Sequence, residues 1–204
     1  MGLGNAGRSF HQIAKFRAWT LPVAVIFVTF FAEIFGDWSR QWLSYDRDAI
    51  VSGQGWRLLT GHFVHLGPSH LALNAAGLLL VWLLIGATAS TGRWLLVATV
   101  SIIGIDAGLW MLTPVLDWYV GLSGLLHGLL AAGIVAELRA GRGDSWVLAG
   151  LVLAKLIYEQ VSGPLPGSEA SAGGAVIVNA HLYGAIAGAV TSVFLPVSPR
   201  DASI

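Results

Sequence analysis

Long apolar stretches fill most of this 204-residue chain. A helix that spans a bilayer needs about 20 mostly apolar residues, and six stretches approach that length: 19–35, 69–86, 93–112, 123–139, 145–160 and 175–195. Backbone polar groups must be satisfied internally in lipid, so such stretches cross a membrane as helices. The sequence therefore predicts an all-α polytopic membrane protein with six transmembrane helices and a long first loop at 36–68.

The composition agrees with this prediction and excludes several classes of function. Charged residues make up 11% of the chain, against about 25% in soluble domains. The net charge is zero and no long basic run occurs, so we expect membrane lipid and no nucleic acid as a partner. Cysteine is absent, which excludes disulfides, cysteine nucleophiles and zinc–thiolate sites.

The positive charges indicate the orientation of the chain. Positive residues are enriched on the cytoplasmic side of membrane proteins. With the N-terminus inside, the inner segments hold Arg8, Lys15, Arg17, Arg93, Arg139, Arg142 and Arg200, and the outer ones hold Arg40, Arg47 and Arg57. We therefore predict an N-in/C-in membrane domain at 19–196 between cytoplasmic tails at 1–18 and 197–204. The first segment could instead be a signal peptide, but no A-x-A-like site follows it.

Polar residues inside the apolar segments are functional candidates, because such groups are costly in lipid. They are His70, Asn74, Asp106, Ser123, His127, Lys155 and His181. The second, fourth and sixth segments all run inward from the outer side. At ~1.5 Å per residue, the short fourth segment begins about 5 Å below the outer surface and His181 lies about 9 Å deep. This difference is within the few-residue accuracy of the segment bounds, and His70 also lies near the outer start of its segment. His70, Ser123 and His181 are therefore predicted to converge at one depth.

Glycine pairs predict which helices pack together. Gly124 and Gly128 have the G-x-x-x-G spacing on the fourth segment, as do Gly184 and Gly188 on the sixth. Small residues at this spacing let helix backbones approach closely in lipid. The helices that carry Ser123 and His181 are thus expected to be in contact.

The converging residues suit serine-based catalysis. A serine hydroxyl becomes a nucleophile when a neutral histidine takes its proton, and His127 and His181 are both candidates for that base. Ser123 begins a segment, where free backbone N–H groups favour an anion. His70 and Asn74 lie four residues apart on one helix face, and both can donate hydrogen bonds to an oxyanion.

Other proteolytic chemistries fit less well. A zinc protease of the H-E-x-x-H type needs a motif that is absent. An aspartyl mechanism needs two facing carboxylates, whereas Asp106 is the only central one and is expected to pair with Lys155. His62, His65 and His70 have no obvious carboxylate partner with which to hold a metal. We expect no metal and no cofactor.

The motifs together resemble those of rhomboid intramembrane serine proteases over nearly the whole chain. They are Trp56-Arg57 and His65 in the first loop, H-x-x-x-N at 70–74, G-L-S-G at 121–124 and H-L-Y-G-A-I-A-G at 181–188. The resemblance implies a six-helix rhomboid-like bundle whose long first loop lies partly in the membrane. It also makes the fifth helix, 145–160, the expected substrate gate.

The resemblance also implies roles for individual residues. Ser123 is the nucleophile and His181 the base, without an acidic third member, and no Asp or Glu is apparent near His181. His70 and Asn74 hold the oxyanion with the backbone N–H of Ser123. His127 stands where the family has an aromatic ring that packs on the catalytic imidazole and orients it. The remaining motif residues are structural: Trp56, Arg57, His65, Gly121, Gly124, Gly184 and Gly188.

A narrower resemblance is to the rhombosortase branch of this family. It rests on Tyr45-Asp46-Arg47, Ile50, the 56–65 stretch W-R-L-L-T-G-H-F-V-H and G-L-S-G-L-L-H-G at 121–128. It implies transmembrane-anchored secreted substrates with a C-terminal Gly-Gly motif, one helix and a basic end. They would be cut on the periplasmic side of a bacterial inner membrane. Asn179 and Tyr183 depart from the smaller or more apolar residues expected beside His181.

Two other functions compete with proteolysis. A rhomboid-like protein could bind transmembrane segments without cutting them, although nothing would then require the serine motif and both histidines together. A small transporter with a polar midplane site is the other, but no repeat relates the two halves of the chain.

Overall fold

The computed structural model describes residues 19–196, and the predicted cytoplasmic tails at 1–18 and 197–204 lie outside this range. Its α-helices are α1 Thr20–Ile34, α2 Asp37–Leu43, α3 Arg47–Val51, α4 Arg57–Thr60, α5 Pro68–Ile85, α6 Thr91–Leu112, α7 Ser123–Arg139, α8 Ser145–Ser162, α9 Ser168–Ala172 and α10 Val178–Phe194. Two short strands, β1 Tyr45–Asp46 and β2 Trp118–Tyr119, pair antiparallel with Tyr45 opposite Tyr119.

Six of these helices coincide with the six predicted apolar segments. Helices α1, α5, α6, α7, α8 and α10 begin and end within three residues of the expected positions. By length and composition, Pro68–Ile85 and Thr91–Leu112 could each cross a membrane, and Thr20–Ile34 with Asp37–Leu43 could form a third span, bent by 110°. The protein is thus an all-α membrane bundle, and six complete spans remain a prediction.

The distribution of side chains is that of a protein in lipid. Large apolar side chains such as Phe27, Leu83 and Val147 are exposed, whereas a monomer in water rarely exposes extended apolar patches. Polar groups such as Asn74 and His181 are buried inside the bundle instead. The interior therefore holds the polar chemistry, and the outer surface faces hydrocarbon.

Helices α7 and α10 pack glycine against glycine, as the two motifs predict. A Cβ added at Gly184 would collide with the carbonyl oxygen of Gly124, and one at Gly188 would collide with that of Gly128. A Cβ at Gly124 would lie 2.9 Å from the carbonyl oxygen of Ala180. The two backbones are in direct contact, and this contact determines where α10 presents its residues to α7.

Arg57 organises the long first loop. Its guanidinium is buried and donates to the carbonyl oxygens of Ser44 and Gln41, both at 2.9 Å, and to Oε1 of Gln54 at 2.8 Å. Trp56 donates its indole N–H to the Trp42 carbonyl oxygen at 3.2 Å. These bonds connect the start of α4 to carbonyls in the last turn of α2 and just after it, so the Trp-Arg pair holds the loop in shape.

Two pairs of polar side chains inside the bundle differ from the predicted pair. Asp106 does not pair with Lys155: its Oδ1 lies 3.1 Å from Nε2 of His62, so His62 does have a carboxylate partner. Lys155 instead lies 2.7 Å from Oε1 of Glu159. The prediction was wrong because Lys155 has a carboxylate one turn further along its own helix, where i and i+4 side chains meet.

Candidate active site

The chain enters α7 through a turn that only glycine adopts easily. Gly121 has φ 125°, a value that side chains with a Cβ rarely take. A Cβ there would also lie 2.8 Å from Cε1 of His70. The Tyr119 hydroxyl donates to the Gly121 carbonyl oxygen at 2.6 Å, and the Gly121 N–H donates to the Gly61 carbonyl oxygen at 3.1 Å. The turn is thereby fixed, and it places Ser123 as the first residue of α7.

Ser123 and His181 are joined by a hydrogen bond. The Ser123 Oγ lies 2.9 Å from Nε2 of His181. This distance is within the range required between a general base and the hydroxyl that it deprotonates. Helix α10 begins at Val178, later than the predicted 175, so His181 lies in its first turn. The glycine contact between α7 and α10 brings the two first turns to the same level.

His127, the histidine of the serine motif, lies beside His181. The rings of His127 and His181 are stacked, with centroids 4.3 Å apart and planes 18° from parallel. His127 Nδ1 lies 2.7 Å from the Ser123 carbonyl oxygen. A carbonyl only accepts, so Nδ1 of His127 carries a hydrogen. His127 therefore covers a face of the His181 ring, while the serine hydroxyl is bonded to His181.

An acid lies on the far side of His181, contrary to the expectation from the resemblance. Oε2 of Glu159 lies 2.9 Å from Nδ1 of His181, and Glu159 is 3% exposed. The sequence reasoning missed it because Glu159 lies near the end of an apolar segment and far from the motifs along the chain. The signal was available: Lys155 and Glu159 stand four residues apart in a segment where charges are costly.

His70 and Asn74 face the same space as Ser123. The Leu66 backbone N–H donates to Nδ1 of His70 at 3.2 Å, so Nδ1 has no hydrogen. In the neutral ring Nε2 then carries the hydrogen and can donate it. Asn74 Nδ2 donates one hydrogen to the His70 carbonyl oxygen at 3.0 Å, which leaves its second hydrogen for another acceptor.

These groups line one cavity of about 200 Å³. Its polar wall contains His70, Asn74, Ser123 and His181, and its apolar wall includes Leu73, Val120 and Leu126. Residues of the segment around α9 close it from one side. The cavity combines a bonded serine–histidine pair with nearby hydrogen-bond donors, which is the arrangement that acyl transfer requires.

His65 supports the cavity from the loop. Its side chain is buried, and its ring meets that of His70 edge to face, with centroids 5.0 Å apart. Burial lowers the pKa of His65 to about 3, so the ring is neutral at physiological pH. His65 thus adds packing behind His70 without adding charge.

The two residues that depart from the family pattern point elsewhere. Asn179 Nδ2 donates to Oγ1 of Thr113 at 3.2 Å, and the Tyr183 hydroxyl lies 2.9 Å from the same oxygen. Both side chains therefore contact the residue that follows α6 and leave the bonding positions of the His181 ring free.

Three of the site's groups are close enough to be considered as metal ligands. Ligand atoms of His127, Glu159 and His181 lie within 4.8 Å of one another. However, the two imidazoles are stacked, so their in-plane lone pairs run side by side, whereas a tetrahedral metal needs them to converge. Both nitrogens of His181 are also engaged, by Ser123 and Glu159. The arrangement suits proton transfer better than metal binding.

Comparison with known proteins agrees with the motifs. Residues 52–197 match the family model described as the Rhomboid domain. No curated protein matched the chain. The matched region contains the first-loop motif, the serine turn and both histidine helices, and it extends over most of the sequence. The chain therefore belongs to the rhomboid family, whose members are generally intramembrane serine peptidases.

Proposed function

We propose that this protein is an intramembrane serine endopeptidase in which Ser123 is the nucleophile and His181 the base. The observation that carries the proposal is the 2.9 Å hydrogen bond between Ser123 Oγ and His181 Nε2. It lies at the polar wall of a cavity inside a bundle whose outer surface is apolar. An activated hydroxyl at that place would meet a peptide bond of a membrane-anchored substrate.

The reaction follows from the positions of the donors and acceptors. His181 Nε2 takes the hydroxyl proton as Oγ of Ser123 bonds to the scissile carbonyl carbon. The negative charge passes to the carbonyl oxygen, which accepts hydrogen bonds from the Ser123 backbone N–H, His70 and Asn74. The protonated His181 then gives its proton to the leaving amine as the C–N bond breaks. Water hydrolyses the acyl-enzyme in the same sequence of proton transfers.

The orientation in the membrane is part of the proposal. Six spanning helices with both termini in the cytoplasm would place the first turns of α5, α7 and α10 toward the outer side. The excess of Arg and Lys in the predicted inner segments supports this orientation. The site would then open to the periplasm of a bacterial inner membrane.

We propose a substrate of the rhombosortase kind: a secreted protein anchored by a C-terminal Gly-Gly motif, one transmembrane helix and a basic end. The cavity has a volume of about 200 Å³ and an apolar wall of Leu73, Val120 and Leu126. A cavity of this size favours a substrate with small residues at the cleavage site. A Gly-Gly segment has no side chains, so its backbone can approach Ser123 closely.

Cleavage in proteoliposomes tests both parts of the proposal. The wild-type protein is incubated with a model substrate that carries a Gly-Gly tail, and with a matched substrate in which Val-Val replaces Gly-Gly. We expect cleavage of the first substrate, little of the second, and none with Ser123→Ala. Equal cleavage of both substrates would contradict the tail specificity. Cleavage that persists in Ser123→Ala would contradict the nucleophile.

A further inference from the structure

We infer that Glu159 is a positioning residue for His181, which makes the site a Ser123–His181–Glu159 triad, and that Lys155 holds the Glu159 carboxylate in place. The inference rests on the proposed function and adds to it. The dyad that the rhomboid resemblance implies has no acid, whereas here the base is bonded at both ring nitrogens, to Ser123 Oγ at 2.9 Å and to Glu159 Oε2 at 2.9 Å.

The carboxylate selects the tautomer of His181. A carboxylate only accepts hydrogen bonds, so the His181 nitrogen that faces Glu159, Nδ1, carries the hydrogen. The other nitrogen, Nε2, then has a free lone pair aimed at the hydroxyl of Ser123. The opposite tautomer would have its hydrogen on Nε2 and could not take the serine proton. Glu159 thus keeps the base in the form that the reaction needs.

Lys155 accounts for how a carboxylate persists in this place. Glu159 is 3% exposed, and an unpaired buried charge is costly. The Lys155 ammonium lies 2.7 Å from Oε1, one turn earlier on α8, so the two carboxylate oxygens have different partners. Oε1 is bound by Lys155, and Oε2 remains for His181. When His181 becomes protonated during the reaction, its positive charge faces this carboxylate.

A purely structural role for Glu159 has to be distinguished from this one. Helix α8 buries few of its side chains: Ser145, Leu156 and Glu159. The Glu159–His181 bond could therefore serve only to dock α8 on α10. Leu156 is buried and lines one cavity with Leu182 and Ala185 of α10, so Leu156→Ala perturbs the packing of the same two helices and leaves the Glu159–His181 bond in place. It is therefore the matched control.

The substitution Glu159→Gln separates the two roles because of Lys155. An ammonium only donates, so Lys155 turns the introduced amide with its oxygen toward itself and its NH₂ toward His181. The NH₂ donates to Nδ1, which forces the hydrogen of the imidazole onto Nε2. This is the wrong tautomer, and in a Ser-His-Asp protease the corresponding change lowers kcat by about 10⁴-fold. The additional change Lys155→Met frees the amide to turn over, and its oxygen can again accept from Nδ1–H.

The experiment measures how fast a fluorophosphonate probe labels Ser123 in detergent-solubilised protein. The maximal labelling rate is separated from the probe's binding constant, and folding is checked by thermal unfolding. With Glu159→Gln, we expect the maximal rate to fall at least about 100-fold with little change in probe binding. With Lys155→Met added, we expect the rate to recover at least about tenfold. We expect Leu156→Ala to lower the unfolding temperature and leave the rate within about threefold.

Each outcome has a defined meaning. If the wild-type protein shows no labelling that depends on Ser123, the proposed function fails, and the triad fails with it. If the wild type is labelled and Glu159→Gln retains its rate, or the double variant recovers nothing, only the triad is overturned. If Glu159→Gln does not fold, the comparison moves to the Lys155→Met background. There, Glu159→Gln should label at least about ten times faster than Glu159→Ala, and equal rates would overturn the inference.

Discussion

A methyl group at Gly188 should damage both stability and activity. A Cβ at this position would overlap the carbonyl oxygen of Gly128, a backbone atom that cannot turn away as a side chain does. At Gly124 the corresponding contact is 2.9 Å, so a smaller movement would relieve it. Relief at Gly188 requires α10 to move away from α7, and overpacking of this kind costs about 1–3 kcal/mol.

The same movement should reach the proposed active site. His181 lies two turns before Gly188 on α10, and its 2.9 Å bond to Ser123 crosses the same helix interface. A displacement of about 1 Å in a catalytic group can lower the rate about 100-fold. We therefore expect Gly188→Ala to lower the unfolding temperature by several degrees and to slow fluorophosphonate labelling of Ser123 by roughly that factor.

The control is Gly150→Ala in the middle of α8. A Cβ at Gly150 would have no atom within 4 Å, and alanine is favoured over glycine in a helix by about 1 kcal/mol. We expect wild-type labelling and an equal or slightly higher unfolding temperature. If Gly188→Ala behaved like Gly150→Ala in both assays, direct backbone contact between α7 and α10 would be refuted.

Three further predictions concern the loop and the oxyanion side. Arg57→Lys should lower the free energy of unfolding by about 2–3 kcal/mol, because lysine cannot replace the fork that binds the Ser44 and Gln41 carbonyls; denaturation in detergent measures it. Burial lowers the pKa of His65 from 6.5 to about 3. Between these two pH values the unfolded chain therefore binds a proton that the folded chain does not. Stability should therefore fall with acidification below pH 6.5, by up to about 1.4 kcal/mol per pH unit from this group, and His65→Phe should flatten the slope in pH-dependent unfolding. Asn74→Ala should reduce kcat by about 10²–10³-fold with little change in KM, because it would remove a proposed oxyanion donor. Steady-state cleavage kinetics measures both constants, and a decrease explained entirely by less folded protein would contradict that role.

The helices could be predicted from the sequence because apolar length is a strong signal in lipid. Helix α7 begins and ends at the predicted residues, 123 and 139. The glycine motifs identified the α7–α10 contact for a similar reason, since only small residues permit it. Both inferences depend on local spacing and not on which way a helix is rotated in the bundle.

The short helices of the first loop were not predicted. The stretch 36–68 was expected as a loop, yet it contains α2, α3 and α4. Helices of this length are marginal by local propensity alone. They depend on tertiary bonds such as those of Arg57 to the carbonyls of Ser44 and Gln41, which a pattern of residues along the chain does not reveal.

The acid beside His181 was missed for a related reason. The positions of Lys155 and Asp106 within apolar segments indicated that both charged side chains were costly in lipid. The sequence did not indicate which face of its helix each side chain occupied. The rotation of α8 points Glu159 at His181, and the packing of the loop on α6 points His62 at Asp106. The rotation and packing of these elements thus determine which polar side chains pair in the bundle.

The most direct test of the central claim is to map the fluorophosphonate adduct by mass spectrometry of the whole protein and of its peptides. We predict a single adduct on Ser123, none in Ser123→Ala, and strongly reduced labelling in His181→Ala. His127→Phe keeps an aromatic ring against His181, so it should retain most of the labelling. An adduct on another residue would contradict Ser123 as the nucleophile, and labelling that survives His181→Ala but is lost in His127→Phe would contradict His181 as the base.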